Sequence, residues 1–206
     1  MRQFQDLHFG TTLPFWDRAV RVQLARLQPT QDWIVAALAA TKRCNKGTGS
    51  VDDASAMKAL GEIVERRFQS GEGPFVYSIQ DRVDSIFLLL AIRSILTMAD
   101  RIVEQLKPLG KESQSLQVRN AFSSKYQLIT HLRDVTLHYD AYAVGGGDRR
   151  DLIKDPNEGL GVIEDEKGFI LIMWAGHRLR LLEAAQAALV LSTSLSQMFW
   201  GALTQP

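Results

Sequence analysis

The sequence predicts a mainly α-helical, up-and-down bundle with a small β-hairpin before the last helix, and three observations carry that expectation. Residues 78–107 and, after a short interruption, 113–144 repeat apolar side chains at the helical period over many turns. Within residues 161–175 the pattern changes to β-branched and aromatic residues on either side of Asp165-Glu-Lys-Gly168, as in a hairpin. From Gly176 to Leu203 a helical run returns with no charge after Glu183, so most of its sides should be packed, in the core or against a second subunit.

Composition narrows the classes. A chain of 206 residues with 46% hydrophobic and 23% charged residues can bury one sizeable core, and residues 1–206 are expected to form a single helical domain. The formal net charge of +1 gives no global basic field, so any contact with RNA or DNA must come from a local patch. Cys44 is the single cysteine, which excludes an intramolecular disulfide and a cysteine-based zinc cage and makes a cytoplasmic setting the expectation. The N-terminus has charges at Arg2 and Asp6 and no apolar stretch of signal-peptide length, and reads as mature protein. Apolar runs at 86–92 and 169–175 are far shorter than the roughly 20 residues of a membrane-spanning helix, so no span and no membrane partner are expected.

The elements follow in order. Residues 13–27 place Phe15, Val20, Val22, Leu24 and Leu27 among arginines, a short amphipathic helix that Pro29 should end. A second helix should start after Thr30 as N-cap and fade into the loop at 45–50. A third should begin at Ser50 to Asp53, carrying Met57, Leu60, Ile63, Val64 and Phe68, until Gly71, Gly73 and Pro74 interrupt it. In the long helix from Ser78 to Lys107, Ile79, Val83, Ile86, Leu90, Ile95, Ile102 and Leu106 are the expected buried side. The stretch 106–113 reads as a turn between antiparallel helices, residues 145–160 as a flexible glycine-rich, charged loop, and 166–168 as the hairpin turn.

The helix 113–144 concentrates the reactive side chains. At about 100° per residue, Val118, Ala121, Phe122, Leu128, Ile129, Leu132, Val135 and Tyr139 share the sector that faces the core. Asn120, Gln127, His131, Asp134 and His138 fall on the opposite side, with steps of seven, four, three and four residues that stack them along one face. Most such stripes are simply solvated, with Asp134 and His138 a modest local pair. Arg133 lies about 140° from His138 and would have to reach around the helix or meet a histidine of another helix or subunit.

The order Arg133-Asp-Val-Thr-Leu-His138 in a helical setting resembles the R-x4-6-H motif of the HEPN superfamily, a group of helical bundles that includes metal-independent ribonucleases. Arg2 and His8 fit the same pattern but lie in a segment without helical period and are set aside. The resemblance implies a homodimer in which two motifs form one cleft, with RNA as substrate, an antitoxin-type protein as a further partner, and a role in bacterial stress or defence. It implies Arg133 and His138 as the catalytic pair, supported by Asp134, His131 and Asn120, with no cofactor and no metal. The chemistry suits those types. An imidazole exchanges protons near neutral pH and can serve the ribose 2′-hydroxyl or the leaving oxygen, while a guanidinium holds two oxygens of a charged phosphorane. Arg149 and Arg150 would bind RNA phosphates. Tyr142, near the motif, would be a target for nucleotide modification by analogy with some HEPN systems.

Other readings weigh less. Residues 145–151, GGGDRRD, leave a helix C-terminus, the wrong pole for a phosphate cradle, and read as a helix cap. His131, Asp134 and His138 have ligand types and spacing for zinc or iron, but no second helix offers an obvious fourth ligand. His8 and His177 have no constellation around them. A reading from another class is a non-catalytic helical interaction protein, its polar stripe solvated and its charge-free last helix forming a partner interface.

Overall fold

A computed structural model describes residues 2–73, 75–131, 160–174 and 176–203, with backbone alone for 2–11. The elements are α1 (Arg2–Asn45), α2 (Val51–Gln69), α3 (Ile79–Leu106), a 3-10 turn (Lys107–Leu109) and α4 (Glu112–Lys125). After residues 127–131, which are also helical, come β1 (Gly161–Glu164), β2 (Ile170–Trp174), β3 (His177–Arg180) and a last helix, α5 (Leu181–Leu203). The fold is a helical bundle with a small antiparallel sheet before the last helix, as the periodicity predicts.

The first correction concerns α1, which begins at Arg2 rather than 13, so that the segment of Arg2 and His8 is helical, and which runs unbroken through Pro14 and Pro29 rather than ending at 27. Leu13, Val20, Leu27 and Ile34 are buried at intervals of seven residues, so one continuous seam faces α3 and holds the helix together across the prolines. Pro29 and Ala25, whose carbonyl loses a donor at the proline, lie on the exposed side, where water can serve that carbonyl. Thr30 is therefore interior to a helix and caps nothing. Phe15 and Val22, expected on the apolar side, are exposed.

Ser50 and Asp53 cap the start of α2 reciprocally, and Arg43 grips both carboxylate oxygens of Asp53 at 3.1 and 2.5 Å, tying the end of α1 to it. The α2 helix packs on α1 at the edge of the bundle, with Leu60 buried, Met57, Ile63 and Val64 half-buried and Phe68 exposed. Ser78 and Asp81 form the same capping box at the start of α3, and Gly110 at φ +68° closes the turn after it.

Helix α3 contacts α1, α4 and α5. Its buried side is Leu88, Leu89, Ile92, Ile95, Leu96, Ala99, Ile102, Val103 and Leu106. Ile95, Ile102 and Leu106 lie there as expected, but Ile79, Val83 and Leu90 are exposed and Ile86 is half-buried. At about 100° per residue the first four expected positions sit on the face opposite the last three, and the bundle covers only the second.

The sheet has the order β1-β2-β3, both pairs antiparallel, with Glu164 opposite Ile170 and Trp174 opposite His177. The hairpin and its turn fall where expected. The third strand does not: residues 177–180 extend the sheet, and α5 begins only at Leu181. His177-Arg-Leu-Arg180 alternates, with Leu179 buried and Arg178 exposed, which is the strand period.

Four interactions seat the hairpin on the helices. Gln31, buried on α1, accepts the Ile170 N–H at 3.0 Å, and Lys42 donates to the Glu166 carbonyl at 2.9 Å. Tyr77 donates to the Gly168 carbonyl at 2.6 Å. Gly168 itself, at φ +88°, leaves room for nothing larger, since a Cβ there would stand 2.8 Å from Leu38 and 2.9 Å from Ile34. From α5, Leu181, Leu182, Ala184, Ala185, Ala188, Leu191, Leu195 and Phe199 complete the core.

Candidate functional site

The polar stripe expected along one long helix is built from two pieces. Helix α4 ends at Lys125, where Tyr126 leaves helical geometry at φ −118° and ψ 53°, and helix resumes at 127–131. The continuous helix 113–144 is thus corrected: a fixed rotation per residue does not carry from Asn120 across Tyr126 to His131. Phe122, Leu128 and Ile129 are buried as expected, Val118 is half-buried and Ala121 is exposed. Tyr126 is itself buried, stacked at a tilt on Phe122 with its hydroxyl donating to the Glu183 carbonyl at 3.4 Å. A buried aromatic pulled toward α5 accounts for the break.

His131 ends the described part of this helix. Leu128 and Ile129 anchor it in the core, and its half-exposed imidazole meets the His177 ring with centroids 5.3 Å apart. His177 in turn lies nearly parallel to Trp174, its cross-strand partner, at 6.2 Å and 12°. The site is therefore a cluster of two imidazoles on an indole, joining the end of one helix to the sheet. Each neutral imidazole offers one donor and one acceptor, and each charged one two donors. His177 was passed over in the sequence because its partner is 46 positions away and only the strand register aims it there.

Asn120 belongs to a different neighbourhood. Its side chain accepts from Arg119 at 3.2 Å, and Arg119 pairs with Asp100 of α3 at 2.7 Å. The structure gives Asn120 a place in the link between α4 and α3. Arg133, Asp134, His138, Tyr139, Tyr142, Arg149 and Arg150 lie outside the described residues. So do most of the expected loop 145–160 and the motif itself.

Behind the histidines the hairpin carries its own ion pair. Arg180 reaches Asp165 at 3.0 Å and Glu183 at 3.2 Å and stacks over the Phe169 ring. Burial pushes the Asp165 carboxyl up, but the N–H groups of Phe169 and Lys167 and the Arg180 guanidinium outweigh it, and its pKa lies below the ordinary value. Among the described residues no group of three or more histidine, cysteine or carboxylate side chains is arranged to hold a metal ion. Among them, too, no helix is long and apolar enough to cross a membrane.

No protein-family model matches the chain, and neither curated proteins nor solved structures give a significant match. The functional reading accordingly rests on the residues and their geometry.

Proposed function

We propose that this chain is a HEPN-like protein that cleaves RNA without a metal, with Arg133 and His138 as its catalytic pair. The observation that carries the reading is the footing of the motif. Arg133 stands two residues after His131 in the sequence, and the helical segment 127–131 before it has Leu128 and Ile129 locked into the core and His131 beside a second imidazole at the protein surface. In the reaction, His138 takes the proton of the ribose 2′-hydroxyl, whose oxygen attacks phosphorus. Arg133 neutralises the extra charge of the phosphorane, and as the bond from phosphorus to the 5′-oxygen breaks that oxygen takes a proton from water, giving a 2′,3′-cyclic phosphate and a 5′-hydroxyl. His131, His177 and Asp134 support the site, Arg149 and Arg150 hold flanking phosphates, and two copies bring their motifs to one cleft. A cytoplasmic stress or defence role, checked by an antitoxin-type protein, fits such an activity.

The test is cleavage of a mixed RNA pool in EDTA. His138→Ala and Arg133→Ala should each lower the rate by about 10²-fold or more with helicity unchanged. Cleavage indifferent to both substitutions overturns the proposal.

A second reading, a non-catalytic interaction protein, is favoured by one specific feature. Ile79, Val83, Phe87 and Leu90 form an exposed apolar stripe along α3 at steps of four, four and three. It predicts that the RNA pool survives incubation with the wild-type chain.

A further inference from the structure

Between α4 and α5 runs an open groove of about 590 Å³, a volume within the range of small-molecule sites. Val118, Phe122 and Tyr126 line it on the α4 side, and Ala187, Val190 and Leu191 on the α5 side. The Phe122 and Tyr126 rings, both buried, lie 5.0 Å apart between centroids and give the groove an aromatic floor. One cation lines it, and that cation stands at one end. The Lys125 ammonium lies over the Tyr126 ring, 5.2 Å from its centroid, and among the described residues no carboxylate pairs with it. Toward the start of α4 the lining is neutral, with Gln114 and Gln117.

We infer that this groove binds a small amphipathic carboxylate, with its apolar chain along the aromatic floor and its head group accepting from the Lys125 ammonium. Charge and shape select that occupant. A lining with a single cation and no carboxylate suits one negative charge, and only at the Lys125 end. Shape decides against a polypeptide. Both walls are helical and present no strand edge, so an extended peptide would leave its amides unpaired. A helical one is too wide. The α4 wall from Gln114 to Lys125 is roughly 16 Å long, and 590 Å³ spread over that length gives a cross-section of about 37 Å². A helix about 10 Å across needs roughly twice that. An extended alkyl chain is thinner, carries no amide, and buries its methylenes against Phe122 and Tyr126. The inference rests neither on RNA cleavage nor on the pairing of two copies.

Amide NMR titration of the full chain with octanoate, and with octanol as its uncharged match, tests it. The wild type should bind octanoate saturably with a dissociation constant on the order of 300 µM. The amides of Phe122, Ala187 and Leu191 should shift on binding, and that of Leu60 on α2 should not. Octanol should bind about threefold more weakly. Lys125→Gln should bring octanoate down to the octanol value and leave octanol unchanged. Val190→Glu sets a like charge on the α5 wall at an exposed position, and should weaken octanoate by about threefold or more with helicity unchanged. An absence of saturable binding, equal affinity for octanol, or octanoate binding indifferent to Lys125→Gln overturns the inference. So does a sedimenting dimer that Val190→Glu splits and octanoate leaves intact, because the groove would then hold a second copy.

Discussion

Tyr77 and Gly168 show how much of this fold hangs on single atoms. The Tyr77 hydroxyl, buried and donating to the Gly168 carbonyl across 91 positions, joins the entry of α3 to the hairpin turn. Tyr77→Phe should cost about 1 kcal/mol in urea unfolding at pH 7. Burial, reinforced by Asp81, Glu164 and Asp165, pushes the Tyr77 phenol well above its ordinary value. The folded state therefore holds that proton more tightly than the unfolded chain, so the stabilisation is complete below about pH 10 and declines as pH rises beyond it. Between pH 9 and 11 the wild type should lose stability more steeply than Tyr77→Phe, and parallel curves would refute the assignment. Gly168→Ala combines a left-handed φ with the clash against Ile34 and Leu38, and should lower the unfolding free energy by more than about 1 kcal/mol. Asp165 works in the other direction. Its lowered pKa adds stability above about pH 4 that is lost as pH falls, so Asp165→Asn should flatten the acid limb of the stability curve. Among the site residues, His131 was legible only within 127–131, where buried Leu128 and Ile129 leave it half-exposed, since the period from Asn120 breaks at Tyr126. His177 was not, since the ring that it meets comes from another element.

Among the elements, α3 and the hairpin were read correctly in extent because their signals are local: a serine–aspartate capping box and a glycine turn lie within a few residues of the ends that they define. Helix α1 was misread because a proline is a strong local stop signal, whereas the competing signal, Leu13-Val20-Leu27-Ile34, is spread over three heptads and gains its energy only against α3. Replacing Pro29 by alanine restores an N–H in the middle of this helix. Pro29→Ala should accordingly raise stability by about 1 to 3 kcal/mol, a gain of several degrees in thermal midpoint. A lower midpoint would mean that the fixed φ of Pro29 is required by the packing of α1. The break at Tyr126 is the opposite case, where apolar period continued through a site that tertiary contact interrupts.

Across the molecule, the bundle buries one continuous core yet leaves two apolar or neutral helix faces open, on α3 and α5. Surfaces of this kind belong to proteins that meet partners.

Helical class, the hairpin, the capped starts of α2 and α3 and the charge-free character of α5 were all present in the sequence, because each depends on period or chemistry within one short segment. Folding settled which apolar stripe of α3 is buried, whether Pro29 stops a helix, where β3 ends and α5 begins, and that His131 meets His177. Those outcomes are fixed by free energy shared between residues far apart in the chain, as when Gln31 bonds Ile170 across 139 positions, and no local pattern encodes them.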